Sequence, residues 1–160
     1  SCLAGYDHYE ISNFALPGFQ CRHNLIYWHN EEYVGFGPGA YSYLAESRMR
    51  NVESLSAYME QPGRKSLVER LSIHEQQVET LIQHFRLREG LSEAYYQKRF
   101  GEPVEERFSV PLDTLQQRQL LQRRQGRITP TPQGFYLNDE IGLLLVDSPV
   151  AACDQAKIVN

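Results

Sequence analysis

Cys21, His23, Tyr27 and Trp28 stand within one eight-residue stretch, the chain's densest gathering of groups able to do chemistry. A thiol and an imidazole are donors for iron or zinc, and the two large rings beside them offer flat apolar surface. If Asn24 caps a short helix, His23 sits just before it and Tyr27, four residues on, falls on the same side. Cys21 lies two residues before His23, so in an extended loop their side chains point to opposite sides and do not share one ion. A zinc site drawn from His8, Cys21, His23 and His29 has none of the recognised ligand spacings. On residue types alone, a plainer arrangement stands beside the chemical one. His23 and Asn24 then bond loop backbone, Tyr27 and Trp28 fill a core, and Cys21 is a small hydrophobe.

A second chemical signal follows in Gly35-Phe36-Gly37-Pro38-Gly39-Ala40. It invites a dinucleotide reading, yet its third glycine comes one residue too early for G-x-G-x-x-G. Pro38 also removes an amide that a phosphate would need. A tight approach of backbone to a neighbour explains the same glycines. Arg118, Arg123, Arg124 and Arg127 form a basic cluster, but Glu102, Glu105 and Glu106 precede it, and the net charge of −4 argues against nucleic-acid binding. Asp139 and Glu140 are adjacent and face different directions on a helix. No Ser-His-Asp set stands out.

The elements that position these groups fall into two parts. Leu3 to Tyr6 reads as a helix end with Gly5 as its stop. Asp7 to Phe14 reads as a strand with no cleanly apolar face, and Tyr33 to Phe36 as a second strand running into the glycine loop. Residues 51–66 read as a connector, with Ser54 capping a short helix through Met59 that stops at Pro62-Gly63. From Ser72 the pattern is helical. Ser72 and Glu75 make a capping box, and Val78, Leu81, Ile82 and Phe85 form one buried stripe. Ser92 caps a second helix ending at Gly101, and a third is expected from about Leu112 to Arg123. Gly126 to Thr129 reads as a short strand. Thr131-Pro132 opens a closing helix that buries Ile141 to Val146. Three helices, a strand and a last helix make a winged-helix-like module, and the fold class is α+β.

Three pieces in order carry a resemblance to a family: Tyr9-Glu10-Ile11-Ser12-Asn13-Phe14-Ala15 with its Pro17-Gly18 turn, the H-N-x-x-Y-W box from His23 to Trp28, and the glycine loop. Together they resemble the HemW-like haem chaperones of the radical S-adenosylmethionine superfamily, relatives of oxygen-independent coproporphyrinogen III oxidase. Arg48-x-Arg50-Asn51, Phe85 to Leu91 and Ile128 to Gly134 extend the likeness to about Val146. The resemblance implies that residues 1–50 are the end of a partial (β/α) barrel and that 67–147 are a winged-helix-like C-terminal domain; 148–160, with little periodicity, are expected to be a flexible tail. It implies haem as the ligand of the H-N-x-x-Y-W box, with His23 on the iron, Asn24, Tyr27 and Trp28 around it, and Cys21 as a rival thiolate donor. Gly37, Ala40 and Tyr41 match positions at the S-adenosylmethionine pocket, though many HemW-like sequences carry His where Tyr41 stands.

The family's CxxxCxxC motif for a [4Fe-4S] cluster has no match here. The cluster and S-adenosylmethionine are therefore expected only in a full-length parent, and this chain alone is not expected to be catalytic. Haem-acceptor proteins, and the missing barrel or a second chain, are the implied partners. The rival enzyme reading is a portion of the coproporphyrinogen oxidase itself, which is not expected to carry the H-N-x-x-Y-W box. A third reading is a winged-helix interaction module without haem. Composition is consistent with a globular protein, at 41% apolar and 22% charged residues. No apolar run reaches the length of a membrane span and no secretory signal is visible. Cys2, Cys21 and Cys153 are too scattered for a disulfide framework, so a reducing cytoplasm is the expected compartment.

Overall fold

The computed structural model describes residues 5–148. Its first element corrects the expected strand over Asp7 to Phe14. Asp7–His8 (β1) and Phe14–Ala15 (β2) instead pair antiparallel with each other. The chain doubles back because the buried Glu10 carboxylate accepts hydrogen bonds from the Ser12 amide at 3.0 Å and from the Asn13 side chain, a local capture that competes with an extended strand. Beyond this hairpin, Arg22–Trp28 forms α1. The helix begins earlier than an Asn24 cap would place it. Cys21 holds the N-cap position without a side-chain bond, and Asn24 lies inside the helix.

The expected strand over Tyr33 to Phe36 reduces to a single bridge between Tyr33 and Tyr43. The Gly35 amide turns away to the Ser42 hydroxyl at 3.0 Å instead of continuing a ladder. Tyr41–Leu44 (β3), Ser47–Asn51 (β4) and Lys65–Arg70 (β5) then make an antiparallel sheet in the order β3-β4-β5. Part of this sheet falls within residues 51–66, the stretch expected to be a connector. Only the short helix there, α2 at Leu55–Glu60 with Ser54 at its N-cap, was anticipated. Arg48 ties the sheet to the next helix, reaching Glu69 on β5 at 2.5 Å and Glu79 at 2.7 Å.

That helix is α3, Ile73–His84, and both halves of its Ser72–Glu75 capping box are made. Leu91–Ser92 (β6) leads into Glu93–Phe100 (α4), capped by Ser92 and closed by Gly101 as expected. The third helix differs from expectation. It runs Glu105–Gln117 (α5), carries Pro111 inside it and absorbs that proline through a non-helical Phe108. Past Gln117 the chain leaves the helix through Gln119 at positive φ and returns as strand β7, Leu121–Arg124. It pairs with β8, Arg127–Pro130, giving the sheet β6-β8-β7. Thr131 caps α6, Pro132–Tyr136, with Pro132 in the first turn; a separate α7, Asn138–Val146, follows where one closing helix was expected.

The main apolar core lies wholly in this second half: Leu81, Phe85, Leu91, Tyr96, Phe108, Leu115, Leu120, Ile128 and Leu145 are among its fully buried members. Gly90 is fixed by the packing there. At φ +61°, a Cβ on it would stand 2.1 Å from the Ile128 carbonyl oxygen, so only glycine lets the turn before β6 lie against β8. The first half docks onto this core through backbone. Ile11 donates to the Arg86 carbonyl at 3.1 Å and Arg88 to the Tyr9 carbonyl at 3.0 Å. The helix end expected at Leu3-Ala4 and the tail beyond Ser148 lie outside the described residues. No described helix is long and apolar enough to cross a membrane.

Candidate functional site

Starting α1 at Arg22 decides which side chains share a face. His23, Ile26 and Tyr27 then stand at i, i+3 and i+4, and all three line one open groove of about 560 Å³. Its other wall is Glu32 to Phe36, with Ala40 and Tyr41 from the end of the glycine loop. The His23 and Tyr27 rings meet edge to face at 5.0 Å, and Tyr27 meets Tyr33 at 4.6 Å. Tyr33 is partly buried, and that desolvation raises its phenol pKa, so it stays a neutral ring. His23 is exposed and makes no hydrogen bond or ion pair with any described residue. Both ring nitrogens are open to a ligand.

The other residues of the box go elsewhere. Trp28 turns away from the groove, and the Arg86 guanidinium lies over its ring at 4.4 Å. Its indole N–H is buried and has no hydrogen-bond partner among the described residues. Asn24 is half-buried in α1, one position round from His23, and does not line the groove. Cys21 is a free, exposed thiol at the helix N-cap; its amide donates to the Tyr9 hydroxyl at 3.3 Å. Of the two candidate iron donors, only His23 faces the groove.

The glycine loop is closed on itself. The amides of Gly35 and Gly37 donate to the Ser42 and Tyr58 hydroxyls at 3.0 and 3.1 Å, and that of Gly39 to the Val52 carbonyl at 2.9 Å. The Asn51 side chain donates to the carbonyls of Gly35 and Gly37 at 3.2 and 2.9 Å. With these amides engaged internally, the loop has no cradle for a phosphate. A Cβ on Gly35 would stand 2.0 Å from the Tyr41 carbonyl oxygen. Close backbone approach, the plainer of the two readings, is what the glycine there serves. Gly37 has no place in the groove wall, whereas Ala40 and Tyr41 share it with His23 and Tyr27. Arg50 covers the Tyr41 ring at 5.1 Å.

Sequence reasoning missed Ile26, Tyr33, Val34 and Phe36 as wall residues and Asn51 as the clasp of the loop. Ile26 was readable from helical spacing once the helix start was known. No local pattern marks Tyr33 or Asn51, whose roles depend on pairings with residues ten or more positions away.

Residues 71–137 match the HemN C-terminal domain family. Over 139 residues the chain is 34% identical to the haem chaperone HemW of Lactococcus lactis, covering 86% of this chain and 37% of that protein. To HemW of Bacillus subtilis it is 32% identical over 141 residues, with the same coverage of 86% and 37%. The chain matches a C-terminal portion of the HemW-like radical SAM proteins. It spans little more than a third of the length of the HemW proteins it resembles. Coproporphyrinogen III oxidase (HemN) of Escherichia coli, a radical SAM enzyme of solved structure, shares its fold with a TM-score of 0.65 over 89% of this chain and 37% of that one, at 15% identity. The HemW-like likeness spans both the groove and the helical half. Among the described residues, no group of three His, Cys, Asp or Glu side chains is placed to hold a metal ion; Cys2 and Cys153 lie outside those residues.

Proposed function

We propose that this chain is the haem-handling portion of a HemW-like haem chaperone, with haem as cargo taken up in the groove of α1. The observation that carries this reading is the pairing in one groove of His23, whose ring nitrogens have no partner among the described residues, with the Tyr27 ring beside it. A neutral imidazole is a normal axial donor to haem iron. Tyr27, Ile26 and Tyr33 add apolar and aromatic surface for a flat macrocycle. Bound haem would supply the iron; this chain's residues hold it and keep one axial position filled until an acceptor protein takes it. Cys21 and Trp28, which the groove does not include, have no direct part in this version of the site. Asn24 does not line the groove either and is left out of this version of the site.

In a full-length parent, S-adenosylmethionine and a [4Fe-4S] cluster would belong to the barrel, and Ala40 and Tyr41 would be this chain's contribution to the S-adenosylmethionine pocket. The helical half, with α3, α4, α5 and the β7-β8 hairpin, is read as winged-helix-like, and residues 5–50 as the barrel's end. A cytoplasmic site of action fits this reading. The likeness in fold to the HemN oxidase supports an enzyme parent as the rival; the HemW relatives, similar across the groove as well, favour the chaperone.

The test is a haem titration followed by visible spectroscopy. Wild-type protein should bind one haem. His23→Ala should weaken binding and move the Soret and visible bands to a different ligation state, while Cys21→Ala should leave them in place. An unchanged spectrum in His23→Ala together with a changed one in Cys21→Ala would assign the iron to the thiolate.

A further inference from the structure

Phe36 is 84% exposed, the most exposed aromatic ring of the groove wall. A phenyl ring left in water forgoes the free energy of burial, and single exposed apolar residues are common enough to need no explanation. Two further observations set this one apart. First, the loop that carries it is fixed on both sides. Gly35 is held by Ser42 and Asn51, and Gly37 by Tyr58 and Asn51, through both amides and both carbonyls. Phe36 is thus held out by a rigid support, and binding against it gives up little backbone freedom. Second, the ring belongs to the same groove as His23, which has no polar partner among the described residues, and the exposed Val34 stands beside it.

We infer that Phe36, with Val34, is a second binding surface for the tetrapyrrole, contributed by the glycine loop where α1 contributes the axial imidazole. This rests on the haem reading above and gives the loop a role in that site. A macrocycle has two apolar faces and one iron. An imidazole on one wall leaves most of the ring plane in need of cover, and a preorganised phenyl supplies apolar area at low entropic cost. The chemistry is independent of the metal. Phe36 should contribute to any flat porphyrin, whereas His23 should matter only where iron is present.

That difference supplies the test. The 160-residue chain, Phe36→Ala, Phe36→Leu and His23→Ala are titrated with haem and, separately, with metal-free protoporphyrin IX. Phe36→Ala should weaken both porphyrins by about tenfold while leaving the wavelength of the haem Soret band unchanged. Phe36→Leu should recover part of the loss. His23→Ala should shift the haem bands and barely alter metal-free binding. Since Phe36 is exposed, its variants should melt with the wild type. Wild-type binding of both porphyrins with Phe36→Ala within twofold for each would overturn the inference and leave the haem reading standing. Failure of wild-type protein to bind either porphyrin would remove the haem reading, and the Phe36 role with it. Loss confined to haem in Phe36→Ala would mean the ring acts through the iron site, which also refutes the proposal.

Discussion

His84 is buried against Tyr95 and donates from Nδ1 to the Thr80 carbonyl at 2.8 Å. Burial pushes its pKa down to about 4. Between about pH 6.5 and 4 the unfolded chain therefore binds a proton at His84 that the folded chain does not, so stability falls with pH by up to about 3 kcal/mol. His29, 5.7 Å away, moves the other way: its hydrogen bond to Glu89, above all, raises its pKa. Its contribution is full below about pH 6.5 and is lost as pH rises through the raised value. Glu89, lowered mainly by that same hydrogen bond, contributes above about pH 4.5 and loses this as pH falls further. Glu31, Arg127 and Arg99 also face the pair. The two half-exposed partners are screened by solvent, so the buried imidazole decides the sign. Urea unfolding at pH 7, 6 and 5 should show stability dropping, and His84→Gln should flatten that slope; an equal slope in the variant would clear His84. Gly35→Ala is a second check at single-residue level. Its Cβ meets the carbonyl of the groove residue Tyr41, so melting temperature and porphyrin affinity should fall together. Of the residues singled out by type, His23 and Tyr27 keep their shared face because i to i+4 survives a shifted helix start. Trp28 does not join them, because i+5 lies well round the helix and Arg86 waits there.

Elements whose ends are marked by side chains were legible. The capping box at Ser72 and Glu75, the caps at Ser54, Ser92 and Thr131 and the stop at Gly101 all fall where the residue types place them. Ser72→Ala should cost about 1 kcal/mol. In a chain of this size that is a fall of about 2–4 °C in melting temperature, and Glu75→Gln should cost less because its amide can still accept from the Ser72 amide. Equal stability of Ser72→Ala and wild type would mean another group takes over the cap. What was not legible lacks such marks. α5 has Val104 at its N-cap, which offers no side-chain cap, and carries Pro111 in its interior, so a reading from local rules begins it after the proline. Its end, at Gln119, uses positive φ without a glycine. The β3-β4-β5 sheet hides for a related reason. Ala45 and Glu46 make its first turn at positive φ with neither Asn nor Gly. β5 is exposed along nearly its whole length, so it shows no clear apolar alternation.

The chain's two halves are held together by polar groups more than by a shared core. All fourteen residues of the main cluster fall between Val78 and Leu145, which is why the helical half is expected to be the more resistant part. What seats α1 on it is a short network at the helix's end. Asn30, 8% exposed and at φ 52°, donates to the Thr80 hydroxyl at 3.1 Å. Arg99 donates to the Asn30 carbonyl at 3.0 Å and to the Tyr95 hydroxyl at 2.7 Å, and that hydroxyl donates to the His29 carbonyl at 3.3 Å. Removing Arg99 leaves a carbonyl without its charged donor, a loss of about 1.5–3 kcal/mol for a hydrogen bond of this kind. The cost should appear locally, because stability differs between cooperative units of one chain. In Arg99→Ala, amide hydrogen exchange over residues 25–30 should speed by about tenfold to a hundredfold, while the core amides of α3 and α5 keep their rates. Porphyrin affinity should fall in parallel, because α1 carries the imidazole, and the Soret band of what remains bound should stay where it was. Uniform acceleration through α3 and α5 would show instead that the halves unfold as one unit, and the first fifty residues would then share the stability of the helical core.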